Sequence, residues 1–117
     1  MAVLEDPLTD SHIIDEILSD PDEIGMYYMW RAAEHGNLSY KSALRLIKSP
    51  NYVIRESLSR NPNIGKDLLE KLSNDPVYVV RQSAVKNPNA TEIMRRKFLM
   101  SDRKMTLEAL AQAHSPA

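Results

Sequence analysis

Residues Ser49-Pro50-Asn51-Tyr52-Val53-Ile54-Arg55-Glu56-Ser57-Leu58-Ser59-Arg60-Asn61-Pro62-Asn63 return 26 residues further on as Asp75-Pro76-Val77-Tyr78-Val79-Val80-Arg81-Gln82-Ser83-Ala84-Val85-Lys86-Asn87-Pro88-Asn89. The identities fall on turn formers (Pro50, Asn61, Pro62, Asn63) as well as on Tyr52, Val53, Arg55 and Ser57, so the match is more than shared hydrophobic periodicity. Self-similarity at this period marks a stack of small supersecondary units, a solenoid, in which each unit contacts only its neighbours.

Each unit reads as two short helices. Ser49 and Asp75 place a side-chain oxygen just before Pro50 and Pro76, and proline suits the first helical position because its missing N–H would have no partner there. Val53, Ile54 and Leu58, like Val79, Val80 and Ala84, follow at helical spacing. Asn61-Pro62 and Asn87-Pro88 must end this helix, since a residue before proline is pushed out of the α region. Asn63 and Asn89 are expected to cap a second helix, with Asn89 and Glu92 resembling a capping box. Its apolar set in the third unit, Ile64, Leu68, Leu69 and Leu72, covers one face.

The register extends outward. Pro7 and Pro21 have the spacing of Pro62 and Pro76, which lays Ile13, Ile14 and Ile17 on Leu68, Leu69 and Leu72, while Leu38, Ala43 and Leu46 fall on Ile64, Leu69 and Leu72. Helices are predicted near 10–18, 23–34, 39–48, 51–59, 64–73, 77–85, 90–99 and 103–112, and no segment alternates like a strand. The expected fold is all-α: a short right-handed α-solenoid of about four two-helix repeats with a period of about 26 residues, over residues 1–110. Residues 111–117 are expected to form a disordered tail.

The Asp75-Pro76…Val80-Arg81 opening and the Asn-Pro-Asn joint resemble the leucine-rich repeat variant, whose units pair an α-helix with a shorter 3₁₀-like helix, and more broadly the HEAT-type α-solenoids. The resemblance is good over 49–99, fair over 6–48 and absent from the last fifteen residues or so. It implies that Arg55 and Arg81 tie one repeat to the next through acidic or carbonyl partners. Some proteins with this repeat hold an iron–sulfur cluster on cysteines; this chain has no cysteine, so that function does not carry over.

The chain has 117 residues, 43% of them hydrophobic, enough for one domain with a core. No apolar run approaches the roughly 18 to 20 residues that span a bilayer, and the first 25 residues lack the basic groups of a usual leader. A cytoplasmic protein without membrane contact is expected. Zero cysteines remove disulfides, thiolate metal sites and thiol nucleophiles. His12, His35 and His114 lie in separate segments without a second ligand at metal spacing. His35, before Gly36-Asn37, is expected to cap a helix C-terminus. Neither enzyme activity nor a cofactor is expected.

Charge is unevenly divided. Residues 1–25 hold eight acids and no Lys or Arg, giving −8; the remainder holds all fifteen cations against eight acids, giving +7 and the net charge of −1. Arg45, Lys71 and Lys97 are 26-residue equivalents near the ends of second helices, and Arg60 and Lys86 are equivalents at the ends of first helices. Cations in a last turn complement the helix dipole; aligned by stacking, with Arg95, Arg96 and Arg103, they would also form a stripe able to follow a phosphate backbone or an acidic protein.

The second unit departs from the rest. Asp22 to Arg31 contains the one Trp with Tyr27, Tyr28, Met26 and Met29, and Pro21 to Pro50 spans 29 residues where 26 was expected. Either a longer first helix buries these bulky groups, with Gly25 early in it allowing close approach, or they form a patch for a partner. Tyr52 and Tyr78 would stack bases or cover the groove between repeats.

A non-catalytic protein-binding module is therefore expected, such as a small adaptor, inhibitor or assembly factor, with Tyr27, Trp30, Arg31, Arg45, Tyr52, Lys71, Tyr78 and Lys97 as candidate partner-binding residues. The alternative is nucleic-acid binding through the basic body, against which stands a pI near 6.3. The acid-to-base polarity also allows head-to-tail self-association.

Overall fold

The computed structural model describes residues 2–19 and 25–113, and within them the chain is all-α. A 3₁₀ turn at Ala2–Leu4 precedes α1 (Ser11–Ile17), α2 (Met26–Ala33), α3 (Tyr40–Leu46), α4 (Tyr52–Ser59), α5 (Lys66–Ser73), α6 (Tyr78–Lys86) and α7 (Glu92–Ala113). No strand occurs among the described residues, and none of their helices is long and apolar enough to cross a membrane.

Helices of seven to nine residues are marginal alone and must gain stability from packing. They do so in two rows. In the first row α4 lies between α2 and α6, with the 3₁₀ turn against α2; in the second α1 packs on α3 and α5 on α7. Contacts of α3 and α5 with α4, and of α5 with α6, close the core between the rows. That core holds Ile14, Leu46, Ile54, Leu58, Leu68, Leu69, Leu72 and Val80, with alanines 32, 33, 43 and 84 where helices approach closely. The molecule measures 58 × 30 × 19 Å.

The turn from each first-row helix to the next second-row helix carries the most regular feature of the structure. Asn61, 3% exposed, donates its side-chain N–H groups to Ala33 O (3.0 Å) and His35 O (2.9 Å), while its Oδ1 accepts the Asn63 N–H (2.9 Å). Asn87 repeats this 26 residues later, donating to Ser59 O and Asn61 O and accepting from Asn89 N–H, each at 2.9 Å. His35 takes the place in the preceding turn: Nδ1 accepts the Asn37 N–H (3.0 Å), so the proton resides on Nε2, which donates to Asp6 O (2.7 Å). Asp6 in turn accepts the Leu8 N–H at 2.9 Å. A second series runs alongside, with the side chains of Asn37, Asn63 and Asn89 donating to Pro7 O, Gly36 O and Pro62 O; Asn37 also donates to Thr9 O. Buried polar groups must find partners. Here each turn satisfies its own backbone and that of the turn before it.

Several expectations are corrected. Asn63 and Asn89 cap no helix: α5 starts after Gly65, and Thr91 Oγ1 accepts the Met94 N–H (3.2 Å) at the start of α7. Nor do Ser49 and Asp75 cap helices beginning at proline. α4 starts at Tyr52 with Asn51 as cap, and α6 at Tyr78. Asp75 is buried and forms a two-pronged ion pair with Arg55 (2.8 and 3.2 Å), while Arg55 Nη1 donates to Ser49 O (2.7 Å). Arg81 donates to Asp75 O (2.7 Å) and Pro76 O (3.1 Å). His35 acts across turns rather than only as a cap. α2 is no longer than α4 and begins after Gly25, where an added Cβ would meet nothing within 4 Å; residues 22–24 lie outside the described residues. Val53, expected with the apolar set, is exposed. The helices expected at 90–99 and 103–112 are one helix, because the place of Pro50 and Pro76 is taken by Asp102 and nothing breaks the turn. α7 thus carries residues 111–113 of the expected tail, and residues 114–117 lie outside the described residues.

Candidate functional site

One edge of the molecule is built where each second-row helix ends and the next first-row helix begins. Its first-row positions are exposed and apolar. Met26, Tyr52 and Tyr78 are the opening residues of α2, α4 and α6, stand 26 residues apart, and with Tyr27 and Val53 are between 39% and 56% exposed. Asn51 Nδ2 reaches Met26 Sδ across the α2–α4 boundary, which fixes neighbouring members of the row side by side. Residues in a first helical turn point outward from the edge, so packing three such helices aligns these side chains.

Cations flank this row. Arg45 and Lys71 occupy the last turns of α3 and α5, where they also complement the helix dipole. Arg45 Nη1 donates to Leu18 O (3.3 Å). Lys97 is different: α7 continues to Ala113, so Lys97 lies inside a helix and no dipole accounts for it. α7 passes this edge beside α6, with Phe98 5.6 Å from the Tyr78 ring. A cavity of about 610 Å³ opens between the end of α1, α2 and the α3–α4 turn, lined by Leu18, Met26, Met29, Leu46 and Ile54 with Arg45 and Lys48.

The candidates on α2 contact one another and Glu34. Trp30 is partly buried against the core, and its indole N–H donates to Glu34 Oε1 (3.0 Å). Arg31, in the last turn of α2, lies 3.8 Å from the Glu34 carboxylate. Tyr27 has its neighbours Tyr28 and Trp30 edge-on at 5.4 and 5.8 Å. The structure thus brings Arg45 beside Met26 around the cavity, sets Tyr27 against Trp30 and Tyr78 against Phe98, places Tyr52 and Lys71 at the start of α4 and the end of α5, and puts Lys97 in a groove with Lys66, Asp67 and Glu70 of α5. Met26, Lys48 and Val53 join these candidates. Met26 was legible as the 26-residue equivalent of Tyr52; the irregular Pro21–Pro50 spacing obscured it.

Other cations are already engaged. Arg60 sits between Glu34 (2.9 Å) and Glu56 (3.1 Å), and Arg96 pairs with Glu92 (2.8 Å). Along the second row, hydroxyls of Ser39 and Ser42 donate to Asp15 and hold its carboxyl below the ordinary carboxylate range. The Tyr40 hydroxyl donates to Asp67, which lowers the Asp67 pKa and raises that of Tyr40. These groups tie helices together, and no group of three or more metal-ligating side chains occurs among the described residues. Comparison with family models, with curated proteins and with solved structures returned no match.

Proposed function

We propose that the chain is a short α-solenoid of about four two-helix repeats, of the leucine-rich repeat variant or HEAT-like kind, that binds a partner protein without catalysis. The repeated Asn61 and Asn87 bonding, with His35 and Asp6 in the corresponding places, supports four stacked units. The observation that carries the function is the exposed row Met26, Tyr27, Tyr52, Val53 and Tyr78. Met and Tyr supply large contact area, and interface cores are enriched in them.

A protein partner fits the row better than nucleic acid. Base stacking needs open ring faces. Tyr78 already has Phe98 against it and the Arg81 guanidinium 5.6 Å from its centroid. Arg55 and Arg60 are paired with carboxylates, leaving fewer cations for phosphates than the sequence offers. With Arg45 beside Met26 and Lys71 in the last turn of α5, the preferred partner surface is apolar and bordered by acids.

The test uses the tagged protein as bait in lysate of its native cell, with and without nuclease, beside a Tyr27→Ser/Tyr52→Ser variant. A defined protein retained from both lysates, and lost by a variant that still melts cooperatively, is the expected result. Loss of the retained material on nuclease treatment, together with loss in Lys71→Glu/Lys97→Glu, would replace this reading by the nucleic-acid one.

A further inference from the structure

The two ends of the helical rows are complementary. On α1, Ile13 occupies the position of Ser42, Leu68 and Met94 in the later second-row helices. Those three are buried, whereas Ile13 is 45% exposed. The position faces backward along the stack: Ser42 reaches back to Asp15 on α1, and Met94 lies with α5 side chains at the α5–α7 seam. Behind α1 no second-row helix stands among the described residues. Ile13 therefore presents an unfilled apolar position, a seat for a helix, with the exposed acid Glu16 three residues on along α1; Val3 and Glu5, in and just after the 3₁₀ turn at the same end of the chain, are exposed as well.

At the other end α7 has more helix than its stack uses. Its 22 residues extend about 33 Å, at about 1.5 Å per residue, and it packs on α5 and α6. Beyond Phe98, however, Leu99, Met100 and Leu107 are each more than half exposed. Among the described residues, the crevice around Met100, Arg103, Lys104, Leu107 and Ala111 is lined by α7 alone. Met100, Lys104, Leu107 and Ala111 share one side of the helix at spacings of four, three and four. This is an apolar stripe with cations on it, matching in both respects the seat at the opposite end.

We propose that the seat on α1 is filled by α7 of a second copy of this chain. Leu99, Met100 and Leu107 cover Ile13 and Val3, and Arg103 and Lys104 meet Glu5 and Glu16. The contact joins different surfaces, so each added copy presents a fresh seat and a fresh helix. Pairing of α7 with α7 would instead set Arg103 and Lys104 against their own copies, an arrangement that like-charge repulsion disfavours.

Sedimentation velocity at low salt tests this with changes at exposed residues. Met100→Glu/Leu107→Glu disables the helix and Glu5→Lys/Glu16→Lys disables the seat; circular dichroism checks that both remain helical. The wild type should associate increasingly with concentration and dissociate as salt is raised. Each variant alone should associate about tenfold or more weakly. An equal mixture should give a one-to-one pair that grows no further, since one intact seat and one intact helix remain between the two. A monomeric wild type at all accessible concentrations overturns the proposal. So does a seat variant that associates as strongly as wild type, which would indicate α7–α7 pairing.

Discussion

Replacing Asn61 by Ala removes three hydrogen bonds at once: two donated to Ala33 O and His35 O and one accepted from the Asn63 N–H. Asn61 is 3% exposed, so water does not readily replace them. At about 1 kcal/mol net for each bond, the loss is about 3 kcal/mol, a large part of the roughly 6 to 17 kcal/mol expected for a domain of this length. In urea, with a slope of about 1.5 kcal/mol/M, the midpoint should fall by about 2 M. Asn63→Ala is the control, because its bond to Gly36 O is exposed and should be worth less than about 1 kcal/mol. Asn61→Asp should be worse than Asn61→Ala, since it points carboxylate oxygens at two carbonyl oxygens. If Asn61→Ala moved the midpoint no further than Asn63→Ala, the turn-to-turn bonding would not be a main tie of this fold.

Asp75→Asn should cost about 3 kcal/mol by leaving the largely buried Arg55 without its carboxylate; calorimetry showing a loss below about 1 kcal/mol would contradict that role. Asp15 ionises below its ordinary value of 3.8 in the folded state, first because of the Ser39 hydroxyl and then that of Ser42. Its contribution is present above the unfolded value and lost as pH falls through the lower folded one, so Asp15→Asn should lower stability at neutral pH and make the acid limb below about pH 4 shallower. An unchanged limb in pH-dependent melting would show that Asp15 does not contribute. Deleting residues 63–88, which joins Pro62 to Asn89 and removes one 26-residue period, should leave a helical, cooperatively melting protein of lower stability. A disordered product, judged by circular dichroism, would contradict independent stacked units.

The all-α class and the bounds of α3 to α6 were legible because two independent signals coincide in the sequence: Pro-marked turns and apolar residues at helical spacing. α7 was misread where one of them is missing, since nothing between Leu99 and Arg103 either breaks a helix or forces it onward. The role of Asn61 and Asn87 was obscured by its own plausibility. Asn before Pro reads as a local stop signal, while its bonds to a turn 26 residues away leave no trace in local propensity. The recurrence of His35, Asn61 and Asn87, side chains able both to donate and to accept, was the available clue. The exposed edge was half legible. Tyr52 and Tyr78 declare their equivalence, whereas the burial of Trp30 and its bond to Glu34 depend on packing that no single stretch encodes.

The most direct measurement of the central claim is hydrogen–deuterium exchange on the chain bound to its captured partner, compared with the free chain. The account predicts new protection concentrated in the first turns of α2, α4 and α6, around Met26–Met29, Tyr52–Arg55 and Tyr78–Arg81. Protection confined to the opposite edge, around Asn61 to Asn63 and Asn87 to Asn89, would contradict it.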